Sequence, residues 1–241
     1  MTMIIGEIKE LIRYPVKSFY GEKVQKTTIE SYGLYGDRSH AFLDDTRPGK
    51  YLTLTQLPAL TLYQAQFVGE EGMENFPSVK ISSPSGNTYE WGDQGLIEEL
   101  EKISGKSLTP IQYAPNFVPL GAIEEEHILL TTDASVTNLE ELWGEQIDYL
   151  RFRPNFIIEL YNQTPFVEET WFGKRMLVGN AELEIKRHCE RCSIINIEPK
   201  TATYDLSLLK TVAQKRNNHF GVYASVIKTG AIKIGDKITL L

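Results

Sequence analysis

Apolar residues in this chain recur at every second position in short runs, and glycines and prolines break each run before it lengthens. That period sends alternate side chains to opposite faces of an extended backbone, so the pattern dictates short strands with one buried face. Residues 2–14, 23–31, 39–44, 60–67, 79–82, 156–160, 183–187, 193–197 and 224–229 carry it. Three stretches have helical spacing instead: Leu96, Ile97, Leu100 and Ile103 after Asp93; Val136, Leu139 and Leu142 after Asp133; Leu208, Leu209 and Val212 after Asp205. Each Asp is placed to cap a first turn, and Gly105 and Gly144 stand where the first two helices should stop. The expected fold is mostly β, with an N-terminal β-rich region and a C-terminal β-barrel carrying a few peripheral helices. Residues 109–119 hold three prolines and interrupt both patterns, so the chain divides there into 1–118 and 119–241.

At 241 residues the chain can build a core without covalent staples. Its 32 acidic and 25 basic side chains give a net charge of −7, a field opposite to that of a general nucleic-acid binder. Glu7, Lys9 and Glu10 follow too few apolar residues for a secretory leader, and no run approaches the roughly 18 apolar residues of a membrane span. The expected location is the cytoplasm, with neither nucleic acid nor membrane as partner.

Both cysteines fall in Arg187-His188-Cys189-Glu190-Arg191-Cys192. One pair excludes a disulfide framework, a four-thiolate zinc site and a four-thiolate iron–sulfur cluster. Four readings of the pair remain. A zinc knuckle needs two more ligands from His40, His127, His188 and His219, which are scattered. A redox dithiol should open a helix after a buried strand, whereas charged alternation over 182–187 leads in and an apolar run over 193–197 leads out, placing the pair in a turn between strands. Two buried inert thiols are the third reading. The fourth is a thiolate ligand to a soft metal carried by a cofactor, with Arg187 and Arg191 flanking to favour the thiolate.

The stretch 184–192, followed by Glu198-Pro199, resembles the cysteine signature of the MOSC domain, and most closely that of the bacterial and mitochondrial amidoxime-reducing proteins. Four further pieces resemble the family in the same order: Tyr14-Pro15-Val16-Lys17-Ser18; Gly36-Asp37-Arg38; Phe152-Arg153-Pro154-Asn155; and Phe220-Gly221-Val222-Tyr223 with residues 232–236. The resemblance implies a molybdenum cofactor, Mo-molybdopterin, whose phosphate and dithiolene call for fixed cations, polar donors and one more soft ligand. It makes Cys192 the metal ligand and catalytic residue, with Cys189 beside it, and makes Lys17, Ser18, Arg38, Arg153, Asn155 and Tyr223 cofactor contacts. Thr132 and Ser135 correspond to a hydroxyl-bearing helix start that can meet the cofactor, although a plain cap explains them as well.

Each cation also has an ordinary reading. Lys17 can be a solvated loop lysine, and Arg38 can pair with Asp37 or Asp44. Arg153, between Phe152 and Pro154, is costly unless paired, with Glu159 or another carboxylate as its ordinary partner, and is the strongest candidate of the three. Thr53-Leu54-Thr55-Gln56 departs from the family by lacking a basic residue. His188 stands where the family often has proline and reads as a proton donor or a surface imidazole. The implied activity is reduction of N-oxygenated compounds such as N-hydroxylated bases. With only two cysteines there is no iron–sulfur domain, so electrons must come from a separate flavin or ferredoxin-type partner. A persulfide-carrying or cofactor-handling module built on Cys192 is the alternative, and a binding domain retaining only the fold is a third. The cofactor cleft is expected where the two regions meet.

Overall fold

The computed structural model describes residues 2–241. Its strands are β1 (Met3–Arg13), β2 (Glu22–Val24), β3 (Lys26–Glu30), β4 (Gly33–Leu34), β5 (His40–Asp44), β6 (Gln64–Val68), β7 (Ser78–Ser82) and β8 (Thr88–Glu90). They continue with β9 (Leu108–Gln112), β10 (Ile128–Thr132), β11 (Phe156–Leu160), β12 (Arg175–Val178), β13 (Ala181–Glu190), β14 (His219–Lys228), β15 (Gly230–Lys233) and β16 (Lys237–Leu240). The helices are α1 (Gln94–Ser104), α2 (Leu120–Ile123), α3 (Asp133–Trp143) and α4 (Ser207–Arg216). None is long and apolar enough to cross a membrane.

Seven strands close into a barrel in the order β1, β11, β10, β14, β13, β12, β16 and back to β1. Closure leaves these strands no free edge, and alternation fills the interior with Ile8, Ile128, Leu130, Ile158, Ile185 and Val222. Neighbours are antiparallel except β10 and β11, which α3 links by a crossover. The mostly β fold with a barrel is therefore the one the alternation dictates. The first strand of the chain is nonetheless a stave of this barrel, and β3 pairs with β15. The N-terminal region packs its small sheets and α1 around Phe19, Phe42, Leu60, Leu96 and Leu100, and Ile197 from far along the chain completes that core.

Some local expectations change. Residues 60–67 are not one strand: Pro58 opens a 3-10 turn through Leu62, and β6 begins at Gln64. Proline fixes φ and lacks the N–H that a ladder needs, so the turn forms first. Residues 193–197 are likewise not a strand, since Ser193–Asn196 is a 3-10 helix starting directly after Cys192. Ile195 packs among α3 and α4 while Ile194 and Ile197 reach the N-terminal core, so the segment is pinned by contacts on two sides rather than by a strand neighbour. Gly105 and Gly144 end their helices in the left-handed conformation as expected. The caps differ. Thr132 caps α3, its Oγ1 accepting from Ser135 N at 3.2 Å, and Asp133 lies inside the first turn. Asp93 holds the cap position of α1 but accepts from Glu90 N at 2.8 Å, and Asp205 accepts from Ser207 N one residue ahead of the α4 cap, Leu206.

Candidate cofactor cleft

A cleft of about 650 Å³, part of it open to solvent, lies on the outer wall of the barrel beside Arg38 of the N-terminal region. Register explains its wall. Leu129 of β10 faces Tyr223 of β14, which in turn faces Arg187 of β13. The neighbours Leu130, Val222 and Ala224 fill the barrel, so alternation turns Leu129 and Tyr223 outward. Two irregularities in β13, between Ile185 and Arg187 and between His188 and Glu190, re-phase the strand as it reaches the cysteines. Cys189 then packs against Leu129 and Tyr223, while Cys192, just past the strand end, stays exposed.

Charge gathers along the cleft around one aromatic ring. The guanidinium groups of Arg38 and Arg153 lie 4.7 and 4.1 Å from the centre of the buried Tyr14 ring. Arg38 also pairs with the fully buried Asp37, whose Oδ1 accepts from Tyr14 N at 2.7 Å. Arg153 donates from Nη1 to Phe19 O at 2.9 Å. Burial lowers the pKa of Arg153 to about 10, with Tyr14 opposing and Arg38 adding to the fall, so it keeps its charge at neutral pH. Arg191 donates to Phe152 O at 2.8 Å and contacts Cys189 Sγ at 2.7 Å. Arg38, Arg153 and Arg191 are each more than nine-tenths buried, and each keeps one buried nitrogen without a partner among the described residues: Nε of Arg38, Nη2 of Arg153 and Nε of Arg191. Unpaired buried donors are rare because each carries a desolvation cost. All three arginines line the cleft.

The sequence matches the model of the MOSC domain over residues 101–239 and that of the MOSC N-terminal beta barrel domain over residues 5–87. The chain belongs to the MOSC domain family. Among its relatives is the mitochondrial amidoxime-reducing component 1 of Danio rerio, 25% identical across 97% of this chain and 84% of the relative. Mitochondrial amidoxime reducing component 2 of Bos taurus is 28% identical, covering 97% and 83%. The molybdenum cofactor sulfurase of Drosophila grimshawi is 27% identical across 98% of this chain, which spans 34% of that protein. The YUAD protein from Bacillus subtilis, at 14% identity, superimposes with a TM-score of 0.52 over 100% of this chain and 97% of its own, a likeness of fold.

In this MOSC protein Arg38, Arg153, Asn155, Cys189, Cys192 and Tyr223 share the cleft. Asn155 has its amide committed: Oδ1 accepts from Leu129 N at 3.1 Å, and Nδ2 donates to Ile12 O and Asp37 Oδ2, both at 3.2 Å. It holds β1, β10 and Asp37 in place. Lys17 is buried rather than solvated, its Nζ donating to Ala122 O at 2.7 Å just behind the wall. Ser18 Oγ accepts from Leu54 N at 3.3 Å and fixes the loop that departs from the family pattern. Arg38 takes Asp37 rather than Asp44 as its partner, and Arg153 has no bond to Glu159. Thr132 and Ser135 are not brought to the cleft. They lie at the other end of β10, where Ser135 Oγ donates to the buried Glu168 at 2.9 Å and Thr132 Oγ1 lies 3.3 Å from the same oxygen. His188 stacks on His219, centroids 4.2 Å apart, outside the wall. Tyr14 and Asp37 stand inside the motif pieces, Asp37 already as a partner offered to Arg38, but the motifs give Tyr14 no role as a platform, and the run Glu124-Glu125-Glu126 along the cleft carries no sequence signal beyond charge.

Proposed function

We propose that this MOSC protein is a cytoplasmic oxidoreductase that holds a molybdenum cofactor in the cleft and reduces N-hydroxylated or N-oxide substrates, with electrons from a separate flavin or ferredoxin-type protein. The observation that carries this reading is one cleft shared by the exposed thiol of Cys192 and three buried guanidinium groups with unpartnered donors. The donor set fits the cofactor: a soft thiolate for the metal, and charge-assisted donors for a phosphate and the pterin edge. Cys192 would ligate the metal, and Arg38, Arg153 and Arg191 would bind the anionic and polar parts, with Lys17 adding charge from behind and Tyr223 and Cys189 lining the wall. When bound, the cofactor supplies a metal able to change oxidation state by two electrons.

The protein's own contribution is preorganisation. Tyr14, Asp37 and Asn155 hold the cations before any guest arrives, and Leu129, Phe152 and Ile194 give the wall apolar surface. Left-handed backbone at Ser18, Arg38 and Arg153, with φ of 72, 52 and 55°, marks strain held in place by this packing. Elemental mass spectrometry on protein from a cofactor-competent host tests the reading. Stoichiometric molybdenum in the wild type, its loss in Cys192→Ala, and reduction of an N-hydroxylated substrate with supplied electrons are expected; a metal-free wild type from such a host overturns it.

A second reading is favoured by the sulfurase relative, aligned across 98% of this chain, together with the exposure of Cys192. Here Cys192 carries a persulfide and passes sulfur on without redox turnover. Persulfide on Cys192 in protein that never acquires molybdenum is the result expected of that reading.

A further inference from the structure

The acidic run Glu124-Glu125-Glu126 forms one side of the cleft directly after α2. It is strapped from two directions. Lys17 Nζ binds Ala122 O and lies 3.5 Å from Glu124 Oε1. Arg187, placed 5.2 Å from the centre of the Tyr223 ring, pairs with Glu125 at 2.7 Å and Glu126 at 3.6 Å. Arg187 thus occupies the second and third carboxylates, while Glu124 pairs with Lys17 and lines the cleft with Arg38 and Arg153.

Those cations are unequal partners for it. Crowding by the protein pushes the Glu124 carboxyl up, but Lys17, Arg38 and Arg153 outweigh that and hold its pKa below the usual range. Glu124 therefore feels all three. Yet its side chain keeps 43% of its exposure, while Arg38 and Arg153 are almost wholly buried with nitrogens unpartnered. A half-exposed carboxylate holds weakly, whereas a guest carrying more than one charge is drawn more strongly by the same cations.

We propose that Glu124 is a displaceable internal counter-ion that sets which anion the cleft accepts, admitting multiply charged groups such as a phosphate and turning away monovalent anions. A singly charged guest only exchanges one carboxylate for another charge of the same size. A doubly charged guest out-competes Glu124 in the field of Lys17, Arg38 and Arg153. The inference rests on the proposed role of the cleft in binding an anionic cofactor, and refines which residue governs entry.

Calorimetric titration of the full chain, prepared without cofactor, with inorganic phosphate and with nitrate at constant ionic strength tests it. Glu124→Gln should bind phosphate about tenfold tighter than wild type and gain nitrate binding that the wild type lacks. Glu124→Ser should do the same, and thermal melting checks that both fold. If neither variant binds either anion more tightly while Arg153→Gln or Arg38→Gln abolishes phosphate binding, the cleft binds anions and the gating role of Glu124 is overturned. If phosphate binding is absent, or indifferent to Arg153 and Arg38, the anion-binding reading falls and this inference with it.

Discussion

The two cysteines stand three positions apart and meet different physics. Cys189 is 2% exposed and wedged between Leu129, Tyr223 and Arg191, whereas Cys192 opens onto solvent. Cys189→Ala should cost about 1–2 kcal/mol in urea unfolding, by removing packed volume and the partner of a buried guanidinium. Cys192→Ala should stay within about 0.5 kcal/mol of wild type while turnover disappears. Equal destabilisation by both would show that the pair acts as one structural unit. His40 supplies a pH dependence. It is 1% exposed, shares a 2.8 Å contact between Nδ1 and Ser39 Oγ, and packs against Phe67, Phe76 and Trp91. Burial lowers its pKa from 6.5 to about 4. A base whose folded pKa is depressed stabilises the fold above its unfolded pKa and loses that contribution as pH falls through the folded one. Unfolding free energy should therefore drop by about 3 kcal/mol on this account between pH 7 and pH 4. His40→Asn should flatten that part of the profile; parallel profiles would assign the loss to other groups.

At the scale of elements, β10 serves two ends of the molecule. Its first half gives Leu129 to the cleft, and its last residue, Thr132, caps α3. Thr132→Ala should lower stability by about 1–2 kcal/mol, since the cap bond is lost and buried Glu168 loses a neighbouring hydroxyl, yet leave anion binding in the cleft unchanged. Loss of cofactor retention in that variant, with stability corrected for, would restore Thr132 to the site. The segment after Cys192 shows where reading by period fails. Ser193-Ile194-Ile195-Asn196-Ile197 has the composition of a strand, but the run is apolar on both faces and is claimed by two different cores. Periodicity reports which residues want burial, not which neighbour buries them.

The whole molecule is tied together by elements that cross it. β1 closes the barrel by pairing with both β11 and β16, and at Gly6 a Cβ would come within 2.1 Å of Glu159 O. Gly6→Ala should destabilise the protein by about 2 kcal/mol or more, whereas Gly121→Ala, with open space around it, should be nearly neutral in thermal melting. Alternating apolar positions and the glycine stops at 105 and 144 made the β class and the helix ends of α1 and α3 legible, because both are set by a residue's local backbone preference and its need to leave water. Motif resemblance likewise singled out Arg38, Arg153, Asn155, Cys189, Cys192 and Tyr223, which share one cleft. By itself, then, the sequence determined the β class, the position of two helix ends and most of the polar residues of the cleft. Only the tertiary structure decided that Tyr14 would carry two cations, that Asn155 would be spent on holding strands, that Thr132 and Ser135 would turn to Glu168, and that Glu124 would pair with Lys17. Those outcomes depend on which distant segments become neighbours, set by contacts more than 100 residues apart in sequence such as Lys17 with Ala122 and Asn155 with Ile12.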